Sequence, residues 1–295
     1  MRSLTEELKK RLDKIKLLAL DLDGTTLTED KKIIPEVSEA IAKAKHAGYH
    51  ISFLTGRMFA AAAPFANALE LDIPIVSLNG TVIAESRTGK ILYEKTLSHH
   101  CVRDILTVFD GAPVHKFIYE GDNIRHKAND PEILKYLELW AVNINEVKEF
   151  DLESYRKIYQ ILLIGETNIL DKIAGNLNGE TKCDITTFGF PSPRYPLNFL
   201  EIKSTGDSKG KGLKFLREYY ELSQDQVLAV GDYLNDYELF NEAGLSIAVA
   251  NATDGLKERA DLITDRTNEE GAVAEVIDML LDNGNQKSVM NKSGI

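Results

Sequence analysis

The strongest constraint on the fold is the short run Ile15–Leu20 (IKLLAL), nearly all apolar, which stops abruptly at Asp21-Leu22-Asp23-Gly24. A strand that is apolar on both faces must be covered on both faces, which a parallel sheet flanked by helices provides. The next segment agrees. Pro35 stands at an expected first helical turn, Val37, Ala40, Ile41 and Ala44 follow at helical spacing, and Gly48 marks the stop. A second strand is expected at Ile51–Leu54 before Thr55-Gly56-Arg57, an alanine-rich helix at Met58–Leu69, and a third strand at Ile75–Leu78 before Asn79-Gly80. This alternation predicts an α/β fold, a doubly wound parallel sheet built from right-handed βαβ crossovers.

The rhythm breaks near Glu85. His115–Tyr119 and Ile124–Lys127 flank a turn at Glu120-Gly121-Asp122-Asn123 and read as an antiparallel hairpin. Further strands are expected at Tyr159–Ile164 and Asp184–Phe188, with helices near Ser98–Phe109, Pro131–Trp140 and Asn168–Leu177. A proline-rich stretch, Phe190–Leu197, returns the chain to a resumed βαβ rhythm: a helix at Lys209–Tyr220, strands at Val227–Val230, Ile247–Val249 and Leu262–Thr264, and a helix at Asp236–Ala243. The expectation is a discontinuous core of residues 1–84 and 201–295 with an α+β insertion at 85–200. The polar tail from Asn283 is expected to be frayed.

Lys and Arg number 35 against 46 Asp and Glu, a net charge of −11, and no basic block occurs. Nucleic acid and anionic membranes are therefore unfavourable partners. The two cysteines, Cys101 and Cys183, lack CxxC spacing and read as reduced intracellular thiols. The opening MRSLTEELKKRLDK has neither an apolar core nor a small-residue cleavage site, and no apolar stretch is long enough to span a bilayer. A cytoplasmic protein, monomeric or a small homo-oligomer, is expected.

In doubly wound sheets ligands bind beyond the carboxyl ends of the strands, and Asp21, Asp23, Thr55, Asn79 and Asp232 all fall at such ends. Two aspartates at i and i+2 would share a face on a regular strand only if the strand continued, and Gly24 ends it. Asp21 is therefore placed at the strand tip and Asp23 on the loop. With Asp232 and Asp236, four carboxylates converge, an arrangement that favours a divalent cation. Mg²⁺ suits hard oxygen ligands and bridges carboxylates to phosphate.

The pieces Asp21-Leu22-Asp23-Gly24-Thr25, Leu54-Thr55-Gly56-Arg57, Lys209-Gly210-Lys211-Gly212-Leu213 and Gly231-Asp232-Tyr233-Leu234-Asn235-Asp236, in this order, resemble the haloacid dehalogenase-like superfamily of phosphotransferases. The insertion between the Thr55 and Lys209 pieces is similar to the large α+β cap of its Cof-type branch. The resemblance implies Asp21 as the nucleophile that becomes an aspartyl-phosphate, and Asp23 as general acid and base whose main-chain carbonyl also ligates the metal. It implies Asp21, Asp23, Asp232 and Asp236 around Mg²⁺, with Asn235 completing or orienting the shell. Thr55, the Gly56 amide and Lys209 would hold the phosphoryl oxygens, and Lys209 is preferred to Lys211 by its spacing before Leu213.

Other positions stay open in the sequence. Arg57 contacts ligand or forms a salt bridge, and Asn79-Gly80 is a turn or a substrate contact. His99 and His100 read as surface residues, while Arg125, His126, Lys127, Arg194 and Tyr195 are candidate cap contacts to a polar substrate. The resemblance implies a Mg²⁺-dependent phosphatase of small phosphorylated metabolites, sugar phosphates first among them. The alternatives are a sugar phosphomutase, which would depend on a bisphosphate activator, and a catalytically silent regulatory protein on the same fold.

Overall fold

A computed structural model of the chain describes residues 5–127, 130–138, 140–181, 183–191 and 198–292. The chain folds as two compact units, one made of residues up to Leu92 together with those from Ser208 onward, the other of Tyr93–Asp207.

The first unit is built on a five-stranded parallel sheet. Its strands lie in the order Leu262–Ile263, Leu245–Ala248, Val227–Gly231, Leu17–Leu20 and His50–Phe53. All four residues of Leu17–Leu20 are fully buried, as an apolar run in a doubly covered sheet requires. The helix Pro35–His46 buries Val37, Ala40, Ile41 and Ala44, the expected stripe. The strand of residues 17–20 pairs with 50–53 on one side and, after the long excursion through the second unit, with 227–231 on the other. The two chain directions part at this point, the place where ligands bind in doubly wound sheets.

The third expected strand, Pro74–Ser77, is reached by a single parallel bridge between Leu54 and Val76. It then pairs antiparallel with Val82–Glu85, and Ile91–Glu94 completes a small three-stranded sheet. These turns stay within the first unit almost to their end, so the units divide at residues 92 and 93 rather than at the composition change near Glu85.

The second unit has a six-stranded sheet in the order Ile185–Pro191, Asn198–Ser204, Ile158–Gly165, His115–Glu120, Asn123–His126 and Asn143–Glu146, antiparallel except for its last pair. Ile118, Ile161, Leu163, Leu200 and Ile202 form one core with Val102 and Ile105 of the helix His99–Val108 and Leu170, Ile173 and Leu177 of the helix Thr167–Glu180. Arg194, Tyr195 and most of the proline-rich stretch lie outside the described residues.

Two expectations are corrected. Cys101 and Cys183 form a disulfide, 82 residues apart with Cα atoms 5.6 Å from one another, so they are not two free thiols. Local spacing is silent about partners this distant, whereas the fold brings the start of one helix beside the approach to an edge strand. Of the tail beyond Asn283, expected to be frayed, residues 284–292 continue the helix Ala272–Lys292, and the last three lie outside the described residues. A helix nucleated on a buried first half extends by one hydrogen bond per residue even through polar sequence. No helix among the described residues is long and apolar enough to cross a membrane.

Protein purified without reductant and then unfolded should show no free thiol, and two after reduction. Cys101→Ser should lower the unfolding free energy by about 2–4 kcal/mol, since the bridge closes a long loop. Two free thiols in the non-reduced protein would contradict the pairing.

Candidate active site

Asp21 follows directly on the buried strand Leu17–Leu20, and its main-chain N–H donates to the Val230 carbonyl at 3.0 Å, which extends the parallel ladder to the strand tip. Its own carbonyl accepts from Thr26 Oγ1 at 2.5 Å, so the chain turns sharply beyond it. Gly24, at φ +76°, completes that turn, and a Cβ there would collide with the Asp232 carboxylate. A glycine is needed both for the dihedral and for the close approach.

Asp232 follows the tip of the strand Val227–Gly231 and accepts from Thr25 Oγ1 at 3.2 Å. Asp236 is fully buried, and one of its oxygens accepts from the main-chain N–H groups of Asp232 at 3.0 Å and Tyr233 at 3.2 Å. Ligand oxygens of Asp21, Asp232 and Asp236 lie within 4.8 Å of one another. Of the four expected carboxylates, Asp23 is not in this group.

Lys209 is the first residue of the helix Lys209–Tyr219, and the preceding Ser208 accepts from the Lys211 N–H through its hydroxyl at 3.1 Å. The Lys209 ammonium is 1% exposed and donates to Asp21 Oδ1 at 2.5 Å and Asp236 Oδ1 at 2.8 Å. Lys211 is exposed. The carboxylates thus have an internal counter-charge in Lys209, the residue that the sequence had assigned to the phosphoryl oxygens of this site. With all groups ionised, three carboxylates against one ammonium leave two negative charges in excess, and this donor set of hard oxygens fits a divalent cation.

Titration follows from these contacts. Burial, opposed by Lys209 and assisted by Asp236, pushes the Asp21 carboxyl up to about 7. Burial and then the charges of Asp21 and Asp236 push Asp232 well above the ordinary carboxylate range. Burial alone would lower the Lys209 ammonium, but Asp21 and Asp236 hold it above its ordinary value.

Asp23 has a separate environment. Arg57 Nε and Nη2 donate to its two oxygens at 2.6 and 2.7 Å, and Lys31 Nζ lies 2.9 Å from Oδ1. Burial is the strongest single influence and acts upward, yet Arg57 and Lys31 together outweigh it and hold the carboxyl below its usual range. Arg57, which the sequence left between ligand contact and salt bridge, is therefore in a buried salt bridge. Lys31 carried no motif signal.

Thr55 is 1% exposed, and its hydroxyl accepts from the Arg57 N–H at 3.1 Å while its carbonyl accepts from the Asn79 N–H at 3.0 Å. Asn79, left-handed at φ 50°, accepts at Oδ1 from Asn235 Nδ2 at 3.0 Å, and Gly56 packs on the same Asn79 side chain. Thr55, Gly56, Asn79 and Asn235 thus form one connected group. Sequence reasoning missed two supports. Asn251 Nδ2 donates to the Gly24 carbonyl at 2.8 Å, and Asn268 Nδ2 donates to the Leu27 carbonyl at 2.8 Å. Neither asparagine sits in a recognisable motif.

The candidate contacts of the second unit are engaged within it. Arg125 Nη2 lies 3.3 Å from Glu120 Oε2 with its guanidinium 5.9 Å from the centre of the Tyr155 ring. Lys127 Nζ lies 2.5 Å from Glu149 Oε2, and His126 is buried. His100, on the helix His99–Val108, faces Asp104 at 3.5 Å.

The family model of haloacid dehalogenase-like hydrolases matches residues 18–277. The chain belongs to that family. Among curated haloacid dehalogenase-like relatives, it is 31% identical over 300 residues to a 5-amino-6-(5-phospho-D-ribitylamino)uracil phosphatase of Bacillus subtilis, covering 90% of this chain and 98% of the relative. It is 27% identical over 264 residues to a pyridoxal phosphate phosphatase of Escherichia coli, covering 84% and 92%. A crystal structure of a haloacid dehalogenase-like hydrolase from Bacteroides thetaiotaomicron superposes with a TM-score of 0.80 at 28% identity, over 90% of this chain and 99% of that one. The chain is a phosphatase-type hydrolase of this haloacid dehalogenase-like family.

Lys209→Met should leave Asp21 and Asp236 buried without their internal cation and lower the unfolding free energy by about 3–5 kcal/mol. A saturating divalent cation should recover part of that loss, because it binds only the folded cluster. Urea unfolding with and without the cation measures both, and an unchanged midpoint would contradict this account of the site.

Proposed function

We propose that the protein is a Mg²⁺-dependent phosphatase of small phosphorylated metabolites that works through an aspartyl-phosphate on Asp21. The observation that carries this reading is the pair of contacts from the buried Lys209 ammonium to Asp21 and Asp236. It fixes one carboxylate at a strand tip beside a cluster suited to a hard cation. Asp21, Asp232 and Asp236, with the Asp23 carbonyl, are the groups we assign to Mg²⁺, and the bound ion would neutralise charge on the transferring phosphoryl group.

In this mechanism Asp21 attacks phosphorus while the bond to the leaving oxygen breaks, and Asp23 gives that oxygen its proton. Water then attacks the aspartyl-phosphate, and Asp23 takes its proton, which restores the acid for the next cycle. Lys209, Thr55 and the Gly56 amide are assigned to the phosphoryl oxygens as charge develops. Asn235 and Asn79, which hydrogen-bond to one another, orient the neighbouring groups.

Sugar phosphates remain the first substrates to try. The relatives named for pyridoxal phosphate and for a phosphoribitylaminouracil extend the class to small phosphomonoesters with a heterocycle. We assign substrate choice to the inserted unit.

A screen of phosphorylated metabolites for released phosphate should give Mg²⁺-dependent turnover of at least one small phosphomonoester, abolished by chelator. A phosphorylated folded protein should be turned over more slowly than any of them. Full activity in excess chelator would overturn the metal assignment, and faster turnover of the phosphoprotein would overturn the substrate class.

A further inference from the structure

Building on the role proposed for Asp23, we infer that Arg57 is a positioning residue that aims the Asp23 carboxyl for protonation of the leaving group, with Lys31 as its second support. The two aspartates stand two residues apart yet are held by different cations, Asp21 by Lys209 and Asp23 by Arg57 and Lys31. Asp23 lies on the loop beyond the strand, where nothing in the sheet fixes its side chain. The guanidinium contacts both of its oxygens, and a two-point fork of this kind restrains rotation that a single contact would allow.

Arg57 is itself anchored. It is 4% exposed, and its guanidinium lies 5.2 Å from the centre of the Phe65 ring. Its main chain is held at both ends, the N–H by Thr55 Oγ1 at 3.1 Å and the carbonyl by the Leu78 N–H at 2.9 Å. Lys31 reaches Asp23 from a tight turn closed by Thr28 N–H to the Lys32 carbonyl at 3.0 Å, and has left-handed backbone at φ 59°. The acid/base group is thus referenced to the second strand tip and to a neighbouring turn.

The consequence depends on the leaving group. When phosphorus transfers to Asp21, an alkoxide leaving oxygen needs the Asp23 proton as its bond breaks, whereas a nitrophenolate departs without it. Misplacing Asp23 therefore costs reactivity with alkyl phosphates and spares aryl phosphates. Lysine keeps the charge of arginine but loses the planar fork.

The test is kcat/KM, which reports steps up to leaving-group departure, for a hexose phosphate and for p-nitrophenyl phosphate, with Arg57→Lys, Lys31→Ala and Asp23→Asn. Arg57→Lys should lower kcat/KM for the hexose phosphate by about 10- to 100-fold and for the aryl phosphate by less than about threefold. Lys31→Ala should shift the ratio in the same direction by a smaller factor, and it decides the matter if Arg57→Lys does not fold. Equal losses on both substrates, or no loss on either, would overturn the inference. Asp23→Asn separates the two levels. If it shows the selective loss and the cation variants do not, Arg57 has no positioning role. If Asp23→Asn itself affects both substrates equally, the acid role proposed for Asp23 is wrong.

Discussion

The buried ammonium of Lys209 holds the site together. It lies between Asp21, just beyond the strand Leu17–Leu20, and Asp236, in the turn that follows the neighbouring strand Val227–Gly231, residues 188 and 27 positions away from it in sequence. Two carboxylates this deeply buried would repel one another and take up protons without a cation between them. One ammonium offsets part of that charge, and the excess that remains is what makes the cluster receptive to a divalent ion. A salt bridge of this kind adds little net stability compared with an apolar isostere, but removing one partner strands the others. The helix Lys209–Tyr219 must therefore begin where it does, with its Ser208 cap in place.

The sheet topology supplies the geometry. Because Leu17–Leu20 pairs on opposite sides with strands from distant parts of the sequence, its tip is flanked by the tip of Val227–Gly231, and Asp21 and Asp232 meet there. Gly24 lets the loop turn back against Asp232, and Asn251 and Asn268 brace that loop through main-chain carbonyls. The aspartates to which we assign chemical roles are thus fixed by backbone geometry first and by charge second, which gives the cluster its orientation before any ligand arrives.

The sequence made the motifs legible because each sits where an apolar strand stops, and strand ends are visible as changes of composition. Asp21, Asp232, Asp236 and Lys209 come together in the structure, and the alternating pattern marks the parallel strands of the core, although the expected third strand pairs mainly with an antiparallel neighbour in a separate small sheet. What stayed hidden depends on contacts between distant residues. Nothing local marks Lys31 as a partner of Asp23, or Cys183 as the partner of Cys101 across 82 residues. Arg57 stood next to a motif, but only three-dimensional placement shows that it faces Asp23 rather than solvent. Composition changed near Glu85 while the fold divides at Tyr93, because a hairpin can change character without leaving its sheet.

The central claim is that Asp21, held by Lys209, is the group that accepts phosphorus. The most direct measurement is rapid quenching of the enzyme with a labelled phosphomonoester, borohydride reduction of the acyl phosphate and mass spectrometry of the peptides. The account predicts that Asp21 alone is converted to homoserine and that the signal vanishes in Asp21→Asn. Conversion at another carboxylate, or a phosphoryl group carried on a serine or histidine, would contradict it.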